Sequence, residues 1–528
     1  MVSNIKKILV VALWCLLLAD YAFAQQSLGE RVVSVNASQV KGSLPHTFNL
    51  CIGAGRANEG LRADWQRQLK IAHDECGFKY IRFHGLLSDD MGVYFEDKTG
   101  RQIYNWQYID ELFDFLQSIG MKPFVEVGFM PSALASGNNT IFWWKGNVTP
   151  PKDYTKWNDL IKAMVSHWTE RYGKNEVASW YFEVWNEPNL KGAFFTGTQQ
   201  DYFKLYKETA TAIKSISANY RVGGPATAGN AWIPETISFC VQNKVPIDFI
   251  STHDYGVKQG YLDINGDAGT VLSQNRNQVS GNMLGSRKQI VASALPHLEL
   301  HYTEWSASYT PTDPIHDSYH EAAYILNTVK WAAANVNSMS YWTFTDIFEE
   351  SGPRATPFHG GFGLINYQDI KKPAYYAYQY LNQLGDKELI NTDSSAIICK
   401  DALGNLQALV WDFTIDHPGD SVNNQIFYKR NLPAKTAPTL RFKVDGLKPG
   451  KYLISIFQTG YGINDPYSAY YKLGSPLQLT RDQVQLLKQQ NNEKPVQQIT
   501  VIVSASGRLE KLLPMHQNDV FLMKITKV

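Results

Sequence analysis

Between about residues 47 and 383 the chain alternates short apolar runs of β character with longer stretches of helical periodicity, and the cycle repeats eight times. The β-like runs fall at 48–52, 80–84, 122–127, 180–185, 221–224, 248–252, 298–303 and 340–344. Residues 154–172, 199–216 and 316–335 carry the clearest helical patterns between them. Strands that always alternate with helices are joined by crossovers, so they lie parallel, and eight of them close into a (β/α)8 barrel. An open doubly wound sheet alternates in the same way, but it normally opens on a glycine-rich phosphate loop. The run Cys51-Ile52-Gly53-Ala54-Gly55-Arg56 lacks the third glycine of such a loop.

The barrel is expected over 47–384, with one interruption at 92–106, where two short runs flank a turn and predict a β-hairpin inserted after the second strand. Past residue 385 the pattern changes to short alternating runs at 396–399, 406–411, 440–444, 451–458, 498–504 and 520–525. One helical segment is possible at 480–490. Residues 385–528 are therefore expected to form a β-sandwich, which 25–46 joins through an early run at 31–36.

The first residues carry a leader pattern: Lys6 and Lys7, an apolar run from Ile8 to Ala19, then Ala22-Phe23-Ala24. The run is short for a membrane span, so residues 1–24 are expected to be a cleaved signal peptide, giving an exported, periplasmic or extracellular protein. The mature chain then has four scattered cysteines, Cys51, Cys76, Cys240 and Cys399, expected to be buried thiols with at most one bridge. Neither CxxC nor HExxH occurs, so no metal or other cofactor is expected. Lys+Arg 50 against Asp+Glu 49 leaves a net charge of +1, without the basic footprint of a nucleic-acid or anionic-membrane binder. A neutral partner suits this balance, and 14 Trp with 29 Tyr suit a sugar, whose C–H faces stack on flat rings.

Two glutamates then carry the chemistry. WYFEVWNEP at 180–188 is an apolar strand ending in Asn186-Glu187-Pro188, where the proline terminates the ladder and leaves Glu187 at the strand mouth. ELHYTEW at 299–305 is a second strand, three further on, ending in Glu304. Glycosidic hydrolysis needs such a pair: one carboxyl protonates the leaving oxygen, and in retaining enzymes the other attacks the anomeric carbon.

The stretches at 80–91, 120–131, 182–189, 251–255, 303–305, 341–350 and 357–364 run in order through the barrel, and through them the chain resembles glycoside hydrolase family 39. Its known members are β-xylosidases, and α-L-iduronidases are similar. The resemblance implies a retaining, exo-acting glycosidase acting on oligosaccharides, with Glu187 as acid/base and Glu304 as nucleophile. It implies that Asn186 meets the sugar 2-hydroxyl, that His84 and His253 bond hydroxyls or the nucleophile, and that Tyr255 donates to Glu304. Trp342 would floor the subsite, and Glu349 and Glu350 would grip outer hydroxyls. Glu183 reads as a structural acid paired with Arg82, and the role of Glu126 stays open. Phe129, Trp143 and Trp144 either wall the cleft or fill the core. A uronide substrate would need a basic group, for which Arg354 is the nearest candidate. Other glycosides, or sugar binding without catalysis, are the alternatives.

Overall fold

The computed structural model describes residues 29–262, 268–419 and 424–528. The leader assigned to residues 1–24 lies outside them. Among the described residues no helix is long and apolar enough to cross a membrane.

Eight parallel strands close into one barrel. In chain order they are β1 (Cys51–Arg56), β2 (Tyr80–His84), β3 (Lys122–Val127), β4 (Tyr181–Val184), β5 (Arg221–Ala228), β6 (Phe249–Tyr255), β7 (Glu299–Ser306) and β8 (Ser338–Tyr341). Every strand expected from the sequence is present. The first is displaced, because His46–Asn49 turns into a 3-10 helix and the ladder starts only at Cys51. Where caps are written into the chain the helices match closely. Asp153 accepts from the Thr155 and Lys156 amides and starts Tyr154–Tyr172, and Thr198 forms a capping box with Asp201 at the head of Gln199–Ile216. The single helix expected at 316–335 is instead divided. A 3-10 turn at Pro314–Asp317 precedes the helix His320–Ala332, and Ala333–Asn335 ends it as another 3-10 turn. The hairpin after β2 pairs Tyr94–Glu96 with Gln102–Tyr104.

The N-terminal end of the barrel is plugged by rings: Phe124 stacks on Tyr181 at 4.8 Å, and His301 meets Tyr181 edge-on at 4.6 Å. Above this plug the interior turns from apolar to charged. Ladder register sets Glu126 beside Glu183, and Arg82 beside Gly53.

Apart from short two-stranded ribbons, the remaining described strands form two sheets, of three and seven strands, around a second core that includes Val33, Phe442, Ile454 and Met523. Glu30–Asn36 runs parallel to Thr436–Asp445 in the smaller sheet, so the start of the described chain sits in the C-terminal sandwich. All four cysteines among the described residues are buried free thiols.

Candidate active site

Each site group is placed by the end of a barrel strand, where TIM barrels carry their chemistry. β4 stops at Val184 because the next residues leave the ladder: Trp185 and Glu187 both have positive φ (73° and 43°). Such backbone costs about 1–3 kcal/mol per residue and persists only where its surroundings fix it. Here the Glu187 amide donates to the Ala226 carbonyl (2.9 Å), and Asn189 exchanges two hydrogen bonds with the Ala228 backbone. On the opposite side, a register shift between Thr252 and His253 brings His253 level with Glu304 across β6 and β7. Bulges of this sort re-aim side chains next to active sites.

One cation organises the centre. Arg82, fully buried, donates through Nε to Glu183 (2.8 Å), through Nη1 to Glu304 and through Nη2 to the Asn186 Oδ1 (2.8 Å). Its Nη2 also lies 2.9 Å from Glu126. Burial alone would favour a neutral side chain, but Glu183, Glu126 and Glu304 outweigh it and hold the guanidinium above its ordinary pKa. The pairing of Glu183 with Arg82 is as expected. Glu126, left open by the sequence, is a second structural acid: its Oε2 accepts from His84 Nδ1 at 2.6 Å. That bond turns His84 Nε2 toward the cavity, 3.5 Å from Glu304 and 3.8 Å from Glu350.

The hydrogen-bond directions around His253 follow from its neighbours. Burial, then Arg82 and His84, push its pKa well below 6.5, so the ring is neutral. Thr303 gives its hydroxyl proton to Glu183 (2.7 Å) and so must accept from His253 Nε2 (3.1 Å). The other ring nitrogen, Nδ1, is then an acceptor, and it lies 2.9 Å from Glu187 Oε1. The proton on that bond belongs to Glu187. The electrostatics agree: burial and the charge of Glu304 raise Glu187 well above the usual carboxyl range, against the opposing pull of Arg82. Glu304 has the reverse surroundings, accepting from Arg82 and from the Tyr255 hydroxyl at 2.6 Å. Burial and the same glutamate keep Tyr255 a phenol.

These groups open into a cavity of about 620 Å³, within the range of small-molecule sites. His84, Asn186, Glu187, Tyr255, Glu304, Trp342 and Glu350 all line it. Trp342 lies so close to β1 that a Cβ on Gly53 would stand 2.5 Å from its ring, so only glycine admits the indole there. Phe348 meets the indole edge-on, and His84 packs against it. Glu350 has its pKa raised well above the usual value by burial and by Glu304.

Two expected residues stand elsewhere. His253 does not line the cavity; it is fully buried behind Glu187. Glu349 is a correction. Adjacent to Glu350, it faces the opposite way, and its two oxygens accept from Arg56 (2.7 Å) and Arg62 (3.2 Å). Phe129 and Trp144 pack behind His84 rather than forming walls, whereas Trp143 is exposed. Sequence reasoning missed Asn189, Leu190, Phe194, Asp254, Tyr309 and Phe362 in the lining. Asn189 and Phe362 stand inside recognisable motifs, but Leu190 and Tyr309 are loop residues with no local signal.

One oxygen each of Glu187 and Glu304 and a ring nitrogen of His253 lie within 4.8 Å of one another. These atoms could ligate a cation, but each already has a hydrogen-bond partner, and Arg82 supplies the positive charge beside Glu304.

Known proteins share this architecture. A β-xylosidase of Caldicellulosiruptor saccharolyticus is 41% identical over 460 residues, 86% of this chain and 90% of that one. The crystal structure of a GH39 enzyme from Xanthomonas axonopodis pv. citri superposes with a TM-score of 0.91 at 43% identity, covering 95% of this chain and 98% of that one. A β-xylosidase from Caulobacter crescentus CB15 superposes at 0.90 with 42% identity, covering 94% and 100%. Residues 31–510 match the family model for glycosyl hydrolases family 39. The chain belongs to that family and is a glycoside hydrolase.

Proposed function

We propose that the protein is a retaining, exo-acting β-xylosidase in which Glu187 is the acid/base and Glu304 the nucleophile. The approach of the two carboxyls carries this reading. Their nearest oxygens lie within 4.8 Å, on the side of the separation of about 5–5.5 Å used for direct attack, not the roughly 6.5–9.5 Å that leaves room for a water. Glu187 holds a proton for the leaving oxygen, and Glu304 is ionised to attack the anomeric carbon. After the glycosyl–enzyme forms, Glu187 takes a proton from water, which opens the intermediate with retention. Asn186 Oδ1 accepts from Arg82 Nη2, so its amide Nδ2 is the group offered to the sugar 2-hydroxyl. Trp342, buried beside His84, lines the cavity with Glu350 next to the two carboxyls, and this enclosed side is where the terminal sugar of a chain would sit.

The choice of a neutral pentose rests on charge and on the relatives. Among the described residues the cavity lining includes Glu187, Glu304 and Glu350 but neither lysine nor arginine, a poor setting for a uronate. Arg354 is not part of that lining. The test is a panel of aryl glycosides read by proton NMR for the anomer first released. Hydrolysis of the β-xyloside with β-xylose as first product is expected. Release of the α anomer, or turnover by Glu304→Ala equal to wild type, would sink the mechanism. Preference for an arabinoside, galactoside or glucoside would sink only the choice of sugar. We also infer export, from the leader pattern at residues 1–24; N-terminal sequencing of the processed protein should begin at Gln25.

A further inference from the structure

The cavity has two sides of different character. Part of its lining is enclosed: Trp342 and His84 are buried, and the Glu350 side chain is 15% exposed. Its mouth is apolar and open: Tyr309 is 46% exposed and Leu190 38% exposed, although both line the cavity. Because both line the cavity, they present apolar surface to whatever enters it. Each is also tied to one of the two carboxyl-bearing turns. The Leu190 amide donates to the Glu187 carbonyl (3.0 Å), and the Phe194 amide donates to the Leu190 carbonyl (3.1 Å), so Leu190 and Phe194 are carried on the turn that holds Glu187. On the Glu304 side, Tyr309 sets its ring edge-on to Tyr255 at 6.0 Å and 85°, and Tyr255 in turn bonds Glu304. The strand Val257–Leu262 backs Tyr309 closely. A Cβ on Gly260 would lie 2.7 Å from the Tyr309 hydroxyl, so the ring has no room to retreat on that side.

We propose that Tyr309 and Leu190, backed by Phe194, are the two jaws of a leaving-group subsite that holds a second pyranose ring by its apolar C–H faces. The sugar to be released fills the enclosed side, so the bond to be cleaved stands between Glu187 and Glu304. The leaving residue then has to pass between the jaws. Neither jaw presents a charge, so the subsite grips by stacking and shape and does not select particular hydroxyls. This inference rests on the β-xylosidase reading.

Three donors that share one sugar test it: xylobiose, 4-nitrophenyl β-xyloside and β-xylosyl fluoride, the last having no ring to grip. kcat/KM reports the glycosylation step for each. In Tyr309→Ala combined with Leu190→Ala, xylobiose should lose about tenfold to hundredfold, the range for lost apolar contacts in a binding pocket. The fluoride has no second ring, and any effect relayed through Tyr255 or the Glu187 turn is common to all three donors, so its loss should be at least about fivefold smaller than that on xylobiose. Both side chains are partly in water, so the double variant should fold normally, which a thermal transition matching wild type checks. Equal losses on all three donors would overturn the proposal in favour of a structural effect. A loss confined to the nitrophenyl donor would overturn the pyranose assignment. Wild type that turns over all three, with variants that leave their ratios alone, would overturn the subsite but not the xylosidase. Wild type inert to the fluoride would overturn the xylosidase reading, and the subsite with it.

Discussion

Replacing Arg82 by methionine removes the one guanidinium that touches Glu183, Glu304, Asn186 and lies against Glu126. The side-chain volume is nearly kept, so the perturbation is electrostatic. At an effective dielectric of about 20, a charge pair near 4 Å is worth about 4 kcal/mol, and three carboxylates draw on the same cation. The gain is offset by the desolvation of a fully buried guanidinium, and breaking such a buried cluster from one side costs about 3–5 kcal/mol net. At about 2 °C per kcal/mol for a large domain, the barrel transition should fall by roughly 6–10 °C. Activity should fall further than stability, because Glu304 loses a donor to its ionised form while Glu187 loses the charge that opposes its protonation. Both limbs of the kcat/KM–pH profile should therefore move to higher pH. The assay is calorimetry alongside pH profiles on a phenyl β-xyloside, whose leaving group needs the acid, so that both limbs are read. Adding Glu183→Gln to Arg82→Met removes one uncompensated charge and should recover part of the lost stability without recovering the rate. An unmoved transition in the single variant, or recovery of both together in the double, would refute the account of Arg82 as the hub.

Three further outcomes follow from the same geometry. Glu304→Ala should lose roughly 10⁴-fold in kcat, whereas Glu187→Ala should lose most on poor leaving groups and regain rate with azide, which attacks the intermediate in place of water; azide rescue of the Glu304 variant alone would reverse the two roles. His253→Phe keeps the site dry but removes the acceptor for the Glu187 proton, a hydrogen bond of about 1–1.5 kcal/mol, so the alkaline limb should drop by about one pH unit; an unchanged limb would contradict the proton assignment drawn from Thr303 and Glu183. Glu321, buried and bonded by Tyr341, has its pKa pushed up from 4.5 to about 8, chiefly by burial. Its protonated form is the one the fold accepts, so its contribution to stability is complete below pH 4.5 and is lost as pH rises through about 8; urea midpoints should show that decline between pH 4.5 and 8 and flatten in Glu321→Gln.

What was legible in the sequence was whatever is decided locally. Asp153 and Thr198 cap their helices with side chains two or three residues from the amides they satisfy, so those boundaries can be read from the local sequence alone. Glu187 was legible because a strand, a carboxyl and a terminating proline are consecutive in the chain, and Glu304 because a second strand carries a carboxyl beside an aromatic near its C-terminal end. The strand Leu509–His516 was not read, because Pro514 interrupts its pattern. It is an edge strand, paired only with Thr436–Asp445, and an edge tolerates a residue with no amide to donate.

The same division runs through the site. Glu349 and Glu350 are indistinguishable as neighbours, and only the closed rim decides that one meets Arg56 and Arg62 while the other meets the cavity. Arg82 could be paired with Glu183 from the alternation of two strands. Its grip on Glu304, five strands away in sequence order, exists only because the barrel closes and converts a linear order into a ring. That closure gathers Glu126, Glu183, Glu187 and Glu304 around a single guanidinium. They cannot all be ionised there, and the hydrogen bonds settle where the shortage of positive charge is felt. Glu126 and Glu183 bond Arg82 and their own donors, and Glu304 takes Arg82 and Tyr255. Glu187, given only the lone pair of a neutral histidine, keeps its proton. An acid and a nucleophile made from the same residue type thus differ because one cation is shared among too many carboxylates.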